Sequence, residues 1–336
     1  MWKMREGKVS KSEEEEKGEA EYHSKDFDWE DLRADVENHP SFVHHFQFHI
    51  QSSSSSCSSS SQPDSDAWKR FHIRHSSGKF FKERRYLLKE FPELVSCKEE
   101  NCKVLEVGCG NGSTVLPILR GNETAVVYAC DCSSETLARA KEIVDASNVI
   151  ASEQRFRPFY CDFPVTGFPS WLACNRCRGP SLRVQHTCVS DAGVNDNKAG
   201  SEDSYSLKES GCCIGGVDFV ALIFTLSAIP HRQMPVAIKE CFSVLKPGGL
   251  LLFRDYGLYD MTMFRFDPEQ RVGPREYMRS DGTLSYFFCL DTVRDLFVGA
   301  GFIELELDYC CINSVNHRNG KSMRRVWVHG KFQKHV

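Results

Sequence analysis

Short apolar runs alternate along residues 67–336 with stretches whose apolar positions recur at helical spacing. Residues 103–108 predict a first buried strand, followed by a helix to about Leu119. Residues 125–131 predict a second strand, and Ser133, a good N-cap residue, opens a helix to about Ala146. A third strand is expected over 156–162. Residues 217–226 are apolar almost throughout and predict a fourth strand buried on both faces. A helix to Leu245, a Lys246-Pro247-Gly248-Gly249 turn and a fifth strand over 250–254 follow. Residues 291–299 predict a last helix, and 303–311 with 325–332 a closing antiparallel pair. Strand–helix alternation of this kind predicts an α/β fold, a doubly wound and mostly parallel sheet whose ligands bind at the C-terminal strand ends.

Two segments break the pattern. Residues 1–66 hold 7 Lys/Arg against 15 Asp/Glu, with Glu13 to Glu16 in a row and a nearly pure serine tract over 52–61. That composition predicts a disordered acidic tail; only the Phe/His cluster over 42–49 reads as a short strand or a binding segment. The net charge of −4 therefore hides a tail of −8 and a remainder of +4, so whole-chain charge says little about an anionic partner. The second departure is an insertion over 164–216 between the third and fourth strands, carrying Cys174-Asn175-Arg176-Cys177, Cys188 and Cys212-Cys213. A C-x-x-C with two later cysteines suits tetrahedral zinc, but the second pair is adjacent, so structural zinc and unliganded loop thiols both stand and no metal is assigned. The 16 cysteines fall below disulfide-scaffold density, and several (Cys109, Cys130, Cys161, Cys289, Cys310) lie in apolar runs. With no apolar signal segment and no run long enough to span a bilayer, a cytoplasmic or nuclear chain without a membrane is expected.

The chemistry concentrates at strand ends. Gly108-Cys109-Gly110-Asn111-Gly112-Ser113 follows the first strand as G-x-G-x-G, with Ser113 where a dinucleotide fingerprint would place its third glycine. With Glu106 on the strand itself, this stretch resembles motif I of the Rossmann-like S-adenosylmethionine (SAM) methyltransferases. In such a site Gly108 and Gly110 let the methionine moiety approach the backbone, and Asp131 at the second strand end accepts from the ribose. Asp162 after the third strand accepts from the adenine amino group while Phe163 packs on its ring. Any one strand-end Asp is more often a cap; three such features at three successive strand ends are not.

From Trp68 to Tyr86, seven cations face one acid, Glu83, with Trp68, Phe71, Phe80, Phe81 and Tyr86 interleaved. Cations for phosphates with flat faces for stacking suit single-stranded or looped RNA; an amphipathic helix with a solvated basic face is the alternative. Residues 67–101 thus read as a basic aromatic extension and 102–336 as the main domain. Arg254-Asp255 ends the fifth strand, where a buried charged pair is costly unless used or paired.

Several strings together make the resemblance specific: Ala67-Trp68-Lys69-Arg70-Phe71, Phe80-Phe81-Lys82-Glu83-Arg84, Phe91-Pro92-Glu93-Leu94, Phe253-Arg254-Asp255-Tyr256-Gly257, Arg279-Ser280-Asp281-Gly282-Thr283 and Arg325-Val326-Trp327. They resemble the tRNA N3-methylcytidine methyltransferases of the methyltransferase-like family over about residues 67–335, the insertion excepted. The resemblance implies a class I SAM-dependent fold with a seven-stranded sheet and methylation of an anticodon-loop cytidine. Trp68, His72, Gly108, Gly110, Asp131, Asp162, Phe163 and Ile223 would line the SAM site, and Phe81, Arg84, Arg254 and Asp255 would face the RNA, Asp255 accepting from the cytosine amino group. The partner is tRNA, with an aminoacyl-tRNA synthetase (seryl) or another helper as a candidate presenter. His72 in place of the family's frequent Tyr, and Glu83-Arg84-Arg85-Tyr86 in place of Asp-Arg-His-Trp, keep charge or ring character. The rivals are a SAM enzyme acting on protein, mRNA or a small molecule, and a non-catalytic RNA- or zinc-binding module.

Overall fold

Five parallel strands form the core of the sheet: β1 (Lys103–Val107), β2 (Val126–Asp131), β3 (Phe156–Tyr160), β4 (Val217–Ile223) and β5 (Leu245–Tyr256). Two more, β9 (Ile303–Val315) and β10 (Ser322–Gln333), close it, giving the order β3-β2-β1-β4-β5-β10-β9 with β10 antiparallel to both its neighbours. The computed structural model describes residues 24–46, 65–74, 82–97, 101–149, 151–174, 212–315, 320 and 322–336. The reversal between β1 and β4 opens a crevice at the C-terminal strand ends.

Local sequence explains the framework. β1 and β4 are buried along nearly their whole length, which their apolar runs require. The helix Ser134–Asp145 starts where Ser133 accepts from the Thr136 amide at 3.2 Å, and it buries Leu137, Ala140 and Val144 at helical spacing. β5 starts at Leu245, five residues before the expected Leu250, and absorbs the Lys-Pro-Gly-Gly stretch. A second sheet of β6 (Arg271–Gly273), β7 (Glu276–Met278) and β8 (Leu284–Tyr286) is a feature the sequence pattern did not announce.

The expectation of disorder across 1–66 is corrected for residues 24–46. Helix α1 (Trp29–Glu37) is capped by Asp28, whose carboxylate accepts from the Glu30 and Asp31 amides. It buries Leu32 and Val36 completely, and the Trp29 ring stacks on Tyr309 at 4.5 Å. Just before it, the Asp26 amide bonds Cys311 O (2.8 Å) and the Cys311 amide bonds Ser24 O (2.7 Å), so the chain covers the open edge of β9. The Phe/His cluster is not a strand where it is described: Pro40–His45 is a 3-10 turn that sets Phe42 against Phe264 and His45 Nδ1 2.9 Å from the Tyr277 hydroxyl. Burial pulls the His45 pKa down to about 4, so the ring is neutral.

If α1 is an integral layer, Leu32→Ala lowers the unfolding free energy by about 2–4 kcal/mol, as measured by chemical denaturation. A change within about 0.5 kcal/mol, the scale of an ordinary surface substitution, would show that the helix is undocked.

Candidate functional site

A cavity of about 500 Å³ opens at the C-terminal ends of β1, β2 and β4, a size suited to a nucleoside-bearing ligand. Its walls contain Trp68, His72, Arg84, Gly108, Gly110, Asp131, Asp162, Phe163 and Ile223. Every described residue expected to hold the cofactor is therefore brought to one crevice.

The turn after β1 is built around Gly108, at φ +66°. A Cβ there would lie 2.5 Å from Thr225 Cγ2, and Thr225 is fixed by its hydroxyl donating to Val107 O at 2.8 Å. No residue but glycine fits. At Gly110 the opposite holds: the space a Cβ would take is open. A ligand can lie against that backbone, and this is the feature of the cavity that best fits SAM. Asp131 closes β2, and its carboxylate accepts from the Gly110 amide (3.0 Å) and the Ser133 amide (3.0 Å). Burial raises its pKa, opposed by the charge of His72 and by those amides. One strand-end acid thus fixes both the glycine turn and the N-terminus of the next helix, leaving lone pairs for a ribose hydroxyl. Glu106, beneath the turn, is pushed up to about 8 by burial, against the pull of Arg84.

The outer wall comes from the extension. Helix α2 (Ser65–Arg74) lies against the helix Ser134–Asp145 and presents Trp68, Phe71 and His72 to the cavity. Arg84 hydrogen-bonds backbone to backbone with Ser113 O (3.0 Å), donates to Thr114 Oγ1 (3.3 Å) and sits 5.3 Å over the Phe224 ring. Phe224 has φ +54°, an uncommon conformation for a residue with a side chain, which turns its ring toward Tyr256 at 5.3 Å. Beyond Tyr256 lies a second depression of about 390 Å³ lined by Arg265, Gln270 and Arg279 among others. Phe224, Thr225, Ala228, Ile229, Pro230 and Gln233 also line the cavity; the string Leu222 to Ala228 belongs to the family resemblance, but none of these six was given a site role from the sequence.

Two expectations are corrected. Arg254 is 1% exposed, and its guanidinium pairs with Glu90, lying 4.4 Å over Trp327 and 5.0 Å over Tyr86. It cannot reach RNA from there. Asp255 is fully buried and lies outside the cavity wall; its oxygens accept from the Ser227 amide (2.9 Å) and the Tyr256 amide (2.8 Å). Burial pushes its pKa up to about 6 and the amides restrain the rise. Its visible task is to hold the 3-10 turn Leu226–Ala228, which forms part of the cavity wall. Phe81 lies outside the described residues.

Comparison with known proteins agrees with this geometry. A methyltransferase-domain family model matches residues 80–306. The chain is 32% identical over 270 residues to the Homo sapiens tRNA N(3)-cytidine methyltransferase METTL6, covering 80% of this chain and 79% of that one. It is 31% identical over 274 residues to the Drosophila melanogaster tRNA N(3)-methylcytidine methyltransferase Mettl2, covering 80% and 70%. Among solved structures, a SAM-dependent methyltransferase from Anabaena variabilis superposes with a TM-score of 0.53 at 13% identity, covering 82% of this chain and 98% of that one. That last likeness bears on the fold alone.

The placement of Asp255 predicts that Asp255→Ala costs about 1–3 kcal/mol by orphaning the Ser227 amide and weakens SAM binding at the same time. Calorimetric titration with SAM beside a denaturation curve checks this. Loss of methyl transfer with affinity and stability untouched would return Asp255 to the substrate.

Proposed function

This chain belongs to the family of tRNA N(3)-cytidine methyltransferases, and we propose that it methylates N3 of a cytidine in a tRNA anticodon loop. One juxtaposition carries this reading: the basic aromatic extension forms the outer wall of the SAM cavity, so whatever it binds is delivered to the methyl group. SAM bound there supplies a methyl group on a cationic sulfur, an electrophile that needs no activation by the protein.

The N3 lone pair of an unpaired cytosine is a nucleophile as it stands, so the chain need not supply a general base. Burial of both Arg254 and Asp255 fits that economy. What the chain must do is unstack the base, hold it in line and place charge around it. The Phe224 and Tyr256 rings offer faces on which an unstacked base can lie, with Arg84 beside Phe224 positioned for its carbonyl oxygen or a phosphate. Arg265 and Arg279, in the neighbouring depression, suit the flanking phosphates. Much of the C-terminal basic charge is already used within the fold: Arg324 pairs with Asp35, Arg325 with Asp260, and Lys331 with Glu93 and Glu306. The reaction belongs, on this reading, to the cytosol or nucleus.

The test is nucleoside mass spectrometry on tRNA lacking the modification, incubated with the full chain and methyl-labelled SAM. Label in N3-methylcytidine is expected, falling about tenfold or more for Arg84→Ala with SAM affinity changed no more than about threefold. Label in another nucleoside, or in protein, would contradict the assignment. Parallel reactions with and without seryl-tRNA synthetase decide whether a helper must present the tRNA.

A further inference from the structure

The core explains seven of the cysteines. Cys102, Cys109, Cys130, Cys161, Cys241, Cys310 and Cys311 are buried, where thiols act as small apolar groups. Cys174, Cys212 and Cys213 are different. They are exposed or half-buried, yet their three sulfur atoms lie within 4.8 Å of one another, and Cys174 Sγ is 3.3 Å from Cys212 Sγ.

They sit on a stem. The Ile214 amide bonds Trp171 O and the Gly216 amide bonds Leu172 O, each at 2.8 Å, so the two ends of the insertion run side by side below the sheet. Around a tetrahedral zinc ion with Zn–S near 2.3 Å, sulfur atoms stand roughly 3.8 Å apart, so a sub-ångström adjustment of this cluster suffices to seat the ion. The Gly215 amide donates to Cys213 Sγ at 3.3 Å, an outer contact that orients this sulfur.

We propose that Cys174, Cys212 and Cys213 bind a structural zinc ion that clamps the stem of the insertion. An all-sulfur set selects a soft or borderline metal over magnesium or calcium. Binding replaces three S–H bonds by three Zn–S bonds and releases the three protons to solvent. The fourth corner is open to water. The cluster precedes β4 while the SAM cavity follows it, a span of about 20 Å for a strand of this length, so the ion plays no part in methyl transfer. Its effect is to hold the two chain segments that bear Cys174 and Cys212 together, offsetting the entropy of bringing them into contact.

The experiment is metal analysis of the full chain, purified under reducing conditions from zinc-supplemented cells, beside the Cys174→Ser/Cys212→Ser/Cys213→Ser variant. About one zinc per wild-type chain is expected, none in the variant, and equal SAM affinity in both as proof of folding. Replacement by cobalt should give the thiolate charge-transfer and tetrahedral d–d bands. Metal-free wild type, a variant that keeps its zinc, or a Cys174–Cys212 disulfide in place of metal would overturn the site. None of these outcomes depends on the tRNA reaction.

Discussion

A buried carboxylate holds this molecule's two halves together. Glu90, on a helical turn of the extension, receives the Arg254 guanidinium from β5 and the His329 Nδ1 from β10 at 3.0 Å. Burial works against the charge on Arg254, and Glu90, Tyr86 and Cys310 together outweigh it, Glu90 foremost. Around this centre Phe91 stacks on His329 at 5.0 Å, and Glu93 meets Lys331 at 2.8 Å. Removing one member of such a pair leaves the other uncompensated in the interior, at about 3–5 kcal/mol. The extension is thereby fixed over the strand ends rather than tethered beside them, and Arg84 and its neighbours become part of the pocket.

Carboxylates elsewhere in the site play a similar structural role. Asp131 and Asp255 both spend their oxygens on backbone amides, one to set the glycine turn, the other to set the turn after β4. Between those two turns Thr225 packs where Gly108 has no side chain, and Phe224 is held at positive φ. The pocket is preorganised by turns whose geometry the side chains beneath enforce, so the base and the methyl donor meet a shape already made.

How much of this the sequence discloses follows from what each feature needs. Buried strands must be apolar runs, so β1, β2 and β4 are legible, and Gly108 and Asp131 mark the strand ends that line the cavity. Helix α1 is not legible, because its docking needs only Trp29, Leu32 and Val36, in acidic surroundings, against partners such as Tyr309 nearly three hundred residues away. Arg254-Asp255 announces itself as a costly pair in a buried strand, but sequence cannot distinguish a pair used on substrate from one used on the fold. The partner that settles the matter, Glu90, lies 164 residues earlier. The strands of the small sheet, each three residues long, are too short to carry a period.

The most direct test of the clamp is a double-mutant cycle at Glu90 and Arg254, with Glu90→Gln, Arg254→Met and their combination read by unfolding free energy and by methyl transfer to tRNA. The account predicts strong coupling. Each single variant loses stability and transfer, and the double variant falls short of the sum by about 1–3 kcal/mol in stability. Additive losses, or single variants that transfer methyl groups at the wild-type rate, would show that the pair does not hold the extension in place.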